Sequence, residues 1–240
     1  MSLGLLERHR LPEIMDQPSL EPGRHLQALS GLARINLISD CTRILGKPLF
    51  ALARKTPERN LRVLDVATGS GDMPVRLWRR AQREGIRLAI DGCDISPTAL
   101  AAARERADQA GAAMQFFRLD VLRDPLPTGY DAVVCSTFLH HLSEEDAVRL
   151  LARMARTAER AIFVNDLARS RMGLFLAHTV CRLLTLSDVV HTDGPRSVAA
   201  AFTPAEALAL AERAGLSGAT VERHWPCRYL LSWTRSEGNP

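Results

Sequence analysis

The sequence predicts an α/β protein built on a doubly wound, mostly parallel seven-stranded sheet. Three observations carry that expectation. Short apolar runs at 61–66, 87–93, 114–119, 131–135 and 160–165 alternate with segments of helical periodicity, the pattern of a parallel sheet covered on both faces. The first run passes into the loop of "VLDVATGSGD" at 63–72, where two glycines follow an acid. Two last runs, "GATVERHW" and "RYLLSWTR", flank Pro226 closely enough to pair antiparallel.

Before the first strand, Leu26, Leu29, Leu32, Ile35 and Leu37 recur at helical spacing within 19–56, which predicts two or three helices packed over the sheet edge. "MPVRLWRRAQREG" and "SPTALAAARERADQAG" supply the helices of the first two crossovers. "SEEDAVRLLARMARTAE" is a third, opened by a capping box in which Ser143 precedes Asp146. Residues 168–200 are apolar and partly helical without an obvious strand, and end in the turn-like "HTDGP". "FTPAEALALAERAG" is a sharply bounded helix, with Thr203 as cap, Pro204 in the first turn, Glu206 completing the box and Gly215 as stop. Nothing repeats and no low-complexity linker intervenes. The chain therefore reads as a single domain over 1–240: a helical cap (1–57), a ligand-binding core (58–166), a helical lid insertion (167–201), and a C-terminal helix with the strand pair (202–235).

Composition narrows the class. Hydrophobic residues make up 46% and charged residues 24%, ordinary for a globular protein. "MSLGLLERHR" turns polar too soon for a secretory signal, and the apolar stretch from Met172 is broken by His178, Arg182 and Asp188, too polar to span a bilayer. Cys41, Cys93, Cys135, Cys181 and Cys227 are dispersed, an arrangement expected of reduced thiols in a cytoplasmic protein and not of a zinc site. Of 31 basic residues only Lys47 and Lys55 are lysines. Arginine forks phosphate well, yet no basic cluster interleaves with aromatics, so nucleic acid is not the expected partner. Solvated helix faces account for residues such as Arg149, Arg153 and Arg156.

The glycine loop then asks for a ligand. In a dinucleotide fingerprint Gly69 and Gly71 would be followed by a third glycine, but that position is Pro74. Asp65 ends the strand and Asp72 opens the helix, and two carboxylates there repel pyrophosphate while suiting a small ligand with a positive charge or an amino group.

"VLDVATGSGD" resembles the first motif of class I S-adenosylmethionine-dependent methyltransferases, and the resemblance extends over roughly residues 58–165. It implies their Rossmann-like fold and S-adenosyl-L-methionine as cofactor. It also implies that Asp65 places negative charge near the cofactor's ammonium, while the backbone at Ala67, Gly69 and Gly71 approaches its amino-acid part. By the same resemblance Asp94 of "IDGCDIS" takes the ribose hydroxyls and Ile95 packs on the adenine. Asp120 of "FFRLDVL" would accept from the adenine amino group with Val121 beside the ring. In "YDAVVCSTFLHHL", Ser136 to His141 would form the floor between cofactor and acceptor. Each acid has a structural alternative, because strand-end aspartates also cap the next helix or turn.

The acceptor is less legible. The family's [DN]-P-P-[YFW] signature for amino methylation is absent, no cysteine pair suggests the covalent cytosine route, and Asp166 alone in "FVNDLA" is thin support for a metal. A hydroxyl acceptor benefits from a base, and the expected catalytic candidates are His140 or His141 in the floor and His191 in "VVHTDGPRSVAAAFTP", near Asp193 and Arg196. A polar turn would explain His191 equally. This segment, with the N-terminal "GLARINLIS", resembles small-molecule methyltransferases found with bacterial type III polyketide synthases, which implies O-methylation of a phenolic or lipid-like polyketide. C-methylation of a quinol, RNA methylation and a non-catalytic cofactor-binding subunit stand as alternatives. Leu174, Phe175, Leu176, Leu183 and Leu184 suit an apolar small-molecule acceptor, and serve equally as core or as a homodimer face.

Overall fold

The sheet runs in the order β3-β2-β1-β4-β5-β7-β6 in a computed structural model that describes residues 7–15, 17 and 19–235. Strands β1 (Leu61–Val66), β2 (Leu88–Asp94), β3 (Phe116–Arg118), β4 (Tyr130–Ser136) and β5 (Ala158–Leu167) are parallel. β7 (Arg228–Thr234) pairs antiparallel with β5 and with β6 (Thr220–His224), as the runs around Pro226 predict. The chain walks outward from β1 to β3 and then returns to β4 on the other side of β1. That reversal opens a crevice at the carboxyl ends of β1 and β4, where open α/β sheets bind ligands.

Strand alternation splits the core between the two faces. Leu61, Val63, Ala132, Val134, Ala161 and Phe163 pack with Leu45, Leu49, Phe50 and Leu77 from α2 (Cys41–Ala53) and α3 (Asp72–Arg83). Leu64, Val66, Val133, Cys135, Ile162 and Val164 pack with Leu150, Met154 and Leu210 from α5 (Glu144–Thr157) and α8 (Pro204–Arg213). Burial of such a side chain contributes about 1.5–3 kcal/mol, so neither face tolerates a polar substitution mid-strand. The helix starts are as the sequence predicts. The Ser143 hydroxyl accepts the Asp146 N–H at 3.1 Å, and Thr203 and Glu206 exchange both bonds of a capping box.

Two expectations change. The N-terminal helices are α1 (Pro22–Ile38) and α2, and α2 lies on the sheet face beside α3 rather than over the edge. Its apolar positions 41, 44, 45, 49, 50 and 52 form one broad stripe that only a central face can bury. The "HTDGP" stretch is not a turn but part of α7 (Asp188–Ala200). Ser187 caps this helix, and a Cβ on Gly194 would come 2.9 Å from Cys181 Sγ of α6 (Arg171–Leu184), so close packing of α6 on α7 overrides the local turn chemistry. Pro195 lacks an N–H and only leaves one carbonyl of that helix without its usual donor.

The remaining crossover helix is α4 (Pro97–Ala110). Several arginines bond within the protein: Arg104 donates to the Phe116 carbonyl, Arg169 to the Ala201 carbonyl and to the Glu206 carboxylate, and half-exposed Arg59 forks onto buried Asp131. No described helix is long and apolar enough to cross a membrane. Cys41, Cys93, Cys135 and Cys181 are buried free thiols. The opening residues 1–6, part of the segment that turns polar, lie outside the described residues.

Candidate active site

The loop after β1 is held in a shape that glycine permits. Ala67, Gly69 and Gly71 all have positive φ (54°, 57° and 68°). A Cβ on Gly71 would stand 2.9 Å from Ala103 Cβ, whereas one on Gly69 would meet nothing within 4 Å. The second glycine therefore lets α4 close on the loop, and the first lies under open space. Arg106 of α4 fixes the intervening backbone by donating to the Ser70 carbonyl at 2.5 Å and to its hydroxyl at 2.7 Å.

Asp65 sits beneath this loop, 2% exposed. Oδ2 accepts from the Thr68 hydroxyl at 2.6 Å, while Oδ1 is buried without a hydrogen-bond partner. Burial pushes the carboxyl up to about 7, against the Thr68 bond, with the nearby Asp72 and Asp94 charges adding to the rise. A buried acceptor without a donor costs about 1–3 kcal/mol, which a ligand ammonium or N–H removes.

Asp94 does two jobs in the free protein. Oδ2 accepts the Gly69 N–H at 2.8 Å and Oδ1 accepts the Ser96 N–H at 2.9 Å, tying the glycine loop to the start of α4. A carboxylate oxygen carries two lone pairs, so accepting one N–H is compatible with accepting a ligand hydroxyl as well. Ile95 beside it is 57% exposed, an apolar side chain without cover. Asp120 accepts the Leu122 N–H at 3.0 Å and lies 3.6 Å from Arg123, so it shapes the turn after β3, and Val121 is buried. Ser136 accepts from Asn165 Nδ2 at 3.0 Å across the β4–β5 pair.

The two floor histidines separate in role. His140 is 1% exposed; its Nδ1 lies 2.7 Å from Asp166 Oδ1, and its backbone N–H donates to Asp166 Oδ2 at 3.1 Å. Burial works to raise the Asp166 carboxyl, but the pairing with His140 and the N–H of Leu167 outweigh it and hold the group below its ordinary value. An ionised Asp166 accepts a hydrogen bond from Nδ1–H, which keeps the proton on Nδ1 and leaves Nε2 as the acceptor nitrogen of His140. The His141 ring lies 4.2 Å from that of His140 and stacks on Phe138 at 5.9 Å.

The N-terminal segment 7–15 closes over both histidines. Arg8 donates to the His140 and Leu142 carbonyls, each at 2.7 Å, and lies over the Phe202 ring. Asp193 accepts the Ile14 and Met15 N–H groups, both at 3.0 Å. Glu13 is thereby placed with Oε1 3.8 Å from His140 Nε2, and it accepts from the Ser197 hydroxyl at 2.6 Å. A cavity of about 260 Å³ remains between Arg10, Leu11, Pro12, Glu13, His140, His141 and Ala200.

His191 is placed differently. Its Nε2 bonds the Thr185 carbonyl at 2.7 Å, pinning the α6–α7 connection. Arg196 donates to the Pro12 carbonyl. Glu13 and Arg8 carry no signal in the sequence, being single charged residues ahead of any regular element. Asp166 has a faint one, as the acid that follows the apolar run of β5.

Residues 63–160 match a family described as a methyltransferase domain. That stretch is similar to a methyltransferase domain. Demethylmenaquinone methyltransferase of Thermus thermophilus is 34% identical over 110 residues, which are 45% of this chain and 47% of that protein. The match thus spans about half the length of that relative. Among solved structures, magnesium protoporphyrin IX methyltransferase of Synechocystis with bound S-adenosylhomocysteine superposes with a TM-score of 0.57 at 20% identity, over 82% of this chain and 83% of its own. An O-methyltransferase family 2 protein of Planctomyces limnophilus in complex with apigenin gives 0.64 at 16% identity, over 92% of this chain and 63% of its own. At these identities the likeness shows the fold. The matched span of the methyltransferase domain contains the glycine loop, Asp94, Asp120 and both floor histidines.

Proposed function

We propose that this chain is an S-adenosylmethionine-dependent methyltransferase that methylates a hydroxyl oxygen of an apolar aromatic small molecule, with His140 as general base. The observation that carries the reading is the buried His140–Asp166 pair at the carboxyl end of β4 and β5, beside the loop that ends β1. The orphaned Asp65 Oδ1 and the open space over Gly69 fit the cofactor's ammonium and amino-acid backbone. When bound, the cofactor supplies a methyl group on a cationic sulfur for in-line transfer.

The chain's own residues then have three tasks. Asp65, Gly69 and Asp94 bind and orient, Asp94 by adding ribose hydroxyls to the two N–H groups it already accepts. Asp166 holds the His140 proton on Nδ1, so that Nε2 takes the proton of an acceptor hydroxyl, which for a phenol starts with a pKa of about 10. The segment 7–15 and Ala200 at the end of α7 wall the cavity beside the histidines, and an acceptor seated there would displace its water. Aligning the reacting groups is the other large contribution to rate.

The match to a demethylmenaquinone methyltransferase favours one second reading, transfer to a ring carbon of a quinol. The same base serves it, because deprotonating the hydroxyl makes the ring more nucleophilic. Incubation with methyl-labelled cofactor and a panel of phenols and reduced quinones, with the product analysed by NMR, tests both. An O-methyl product supports the first reading and a C-methyl product the second. No product with any hydroxylated aromatic would overturn both.

Asp94→Ala is expected to weaken cofactor binding by about 1.5–3 kcal/mol for each charge-assisted hydrogen bond lost. Because Asp94 also holds the Gly69 N–H, hydrogen exchange at that amide should accelerate in the variant even without ligand. Normal calorimetric affinity would reduce Asp94 to a cap.

A further inference from the structure

Three ligand-type atoms from distant parts of the chain converge on one point beside the catalytic pair. His140 Nε2 lies 3.8 Å from Glu13 Oε1, His141 Nε2 lies 3.9 Å from Glu13 Oε2, and one such atom from each residue falls within 4.8 Å of the others. We propose that Glu13, His140 and His141 bind a late first-row divalent cation of the zinc and cobalt class. Its occupancy excludes proton uptake at His140, so the ion acts as an inhibitor of the transferase.

The donor set suits such an ion. Imidazole nitrogens with one carboxylate match zinc and cobalt rather than magnesium or calcium, which prefer oxygen throughout. A tetrahedral zinc with bonds of about 2.0–2.2 Å places its ligands about 3.3–3.6 Å apart. The 3.8 and 3.9 Å separations run to different oxygens of Glu13, and the three ligand atoms lie within 4.8 Å of one another, so an ion draws them together by up to about 1 Å or a little more, chiefly by movement of the carboxylate on the N-terminal segment.

The outer contacts are those of a metal centre as well. Asp166 accepts from Nδ1 of His140, the carboxylate–histidine arrangement that fixes the tautomer and presents the Nε2 lone pair to a cation. Ser197 donates to Glu13 Oε1 and orients that carboxylate. The carboxylates of Glu13 and Asp166 offset a dication, with the Arg8 guanidinium engaged by the His140 and Leu142 carbonyls. Two of the three ligands are fully or nearly buried, at 8% exposure for Glu13 and 1% for His140, and the cavity beside them leaves a coordination position for water. Dispersed cysteines argue against a thiolate site and say nothing of this one.

The binding limb is independent of the base role proposed above; only the inhibition limb rests on it. Tag-free chain, stripped by chelator and without cofactor or acceptor, is titrated with Co²⁺, read by visible absorption of low-coordinate cobalt and by calorimetry. One ion per chain is expected. His141→Ala and Glu13→Gln should each weaken binding by more than about 100-fold, and Asp166→Asn by about 10–100-fold as an outer partner. His178→Ala, on the exposed side of α6, should bind as the wild type does. Absence of saturable binding, or full binding in both His141→Ala and Glu13→Gln, overturns the site. Zinc should then inhibit turnover in competition with acceptor, reversibly by chelator. Stimulation by zinc would overturn the inhibition and the base role while leaving the site itself standing.

Discussion

His140→Ala lowers turnover by about 10²–10⁴-fold, the range for losing a general base, while cofactor affinity stays near that of the wild type. The expectation follows from position: the ring is enclosed between Asp166 and Glu13, and Asp65 and Asp94, the acids proposed to hold the cofactor, stand at the ends of other strands. Asp166→Asn separates orientation from simple loss of the ring. An amide at that position donates to Nδ1 and favours the proton on Nε2, which leaves the acceptor side without a lone pair. Turnover should then fall almost as far as in His140→Ala with KM little changed, assayed in metal-free buffer. His191→Ala, by contrast, loosens the α6–α7 connection by freeing the Thr185 carbonyl, and its effect should appear first in thermal stability. Near-normal turnover in both His140→Ala and Asp166→Asn would leave catalysis to alignment alone.

Asp65→Asn is expected to weaken S-adenosylmethionine and S-adenosylhomocysteine binding by about 1.5–3 kcal/mol, roughly 10–150-fold, the scale of a hydrogen bond to a charged group. The wild type should show a pH dependence that the variant lacks. Asp65 titrates at about 7 in the free protein, and only its carboxylate attracts the ligand's ammonium, so affinity rises as pH increases through 7 and then levels. Stability runs the other way. The folded chain keeps this proton up to about 7, whereas an unfolded aspartate gives it up near 3.8, so the folded state binds more protons across that window. Stability of the ligand-free protein therefore falls as pH rises from about 4 to 7, through this group, and Asp65→Asn removes that slope. Calorimetry and thermal melts from pH 5 to 8 would test both signs. A variant with wild-type affinity and an unchanged pH profile would leave Asp65 without a ligand role.

What the sequence alone determined is what short-range chemistry encodes. Alternating apolar runs mark the strands because side chains alternate across a sheet, and the caps at Ser143 and Thr203 are legible because capping needs particular side chains a few residues apart. The loop at Gly69 and Gly71 is legible because few other residues adopt its backbone. The "HTDGP" stretch misleads for the same reason: turn propensity is local, and packing of α6 on α7 outweighs it. Tertiary structure alone decided which histidine pairs with Asp166. The register that pairs Ser136 with Asn165 brings Asp166 to the level of the turn carrying His140, 26 residues away in sequence. The burial of Asp65 and the placing of Glu13 over His140 are likewise products of the assembled fold. Local periodicity has no term for such encounters, because they depend on strand register and on how a segment outside the sheet closes over its crevice.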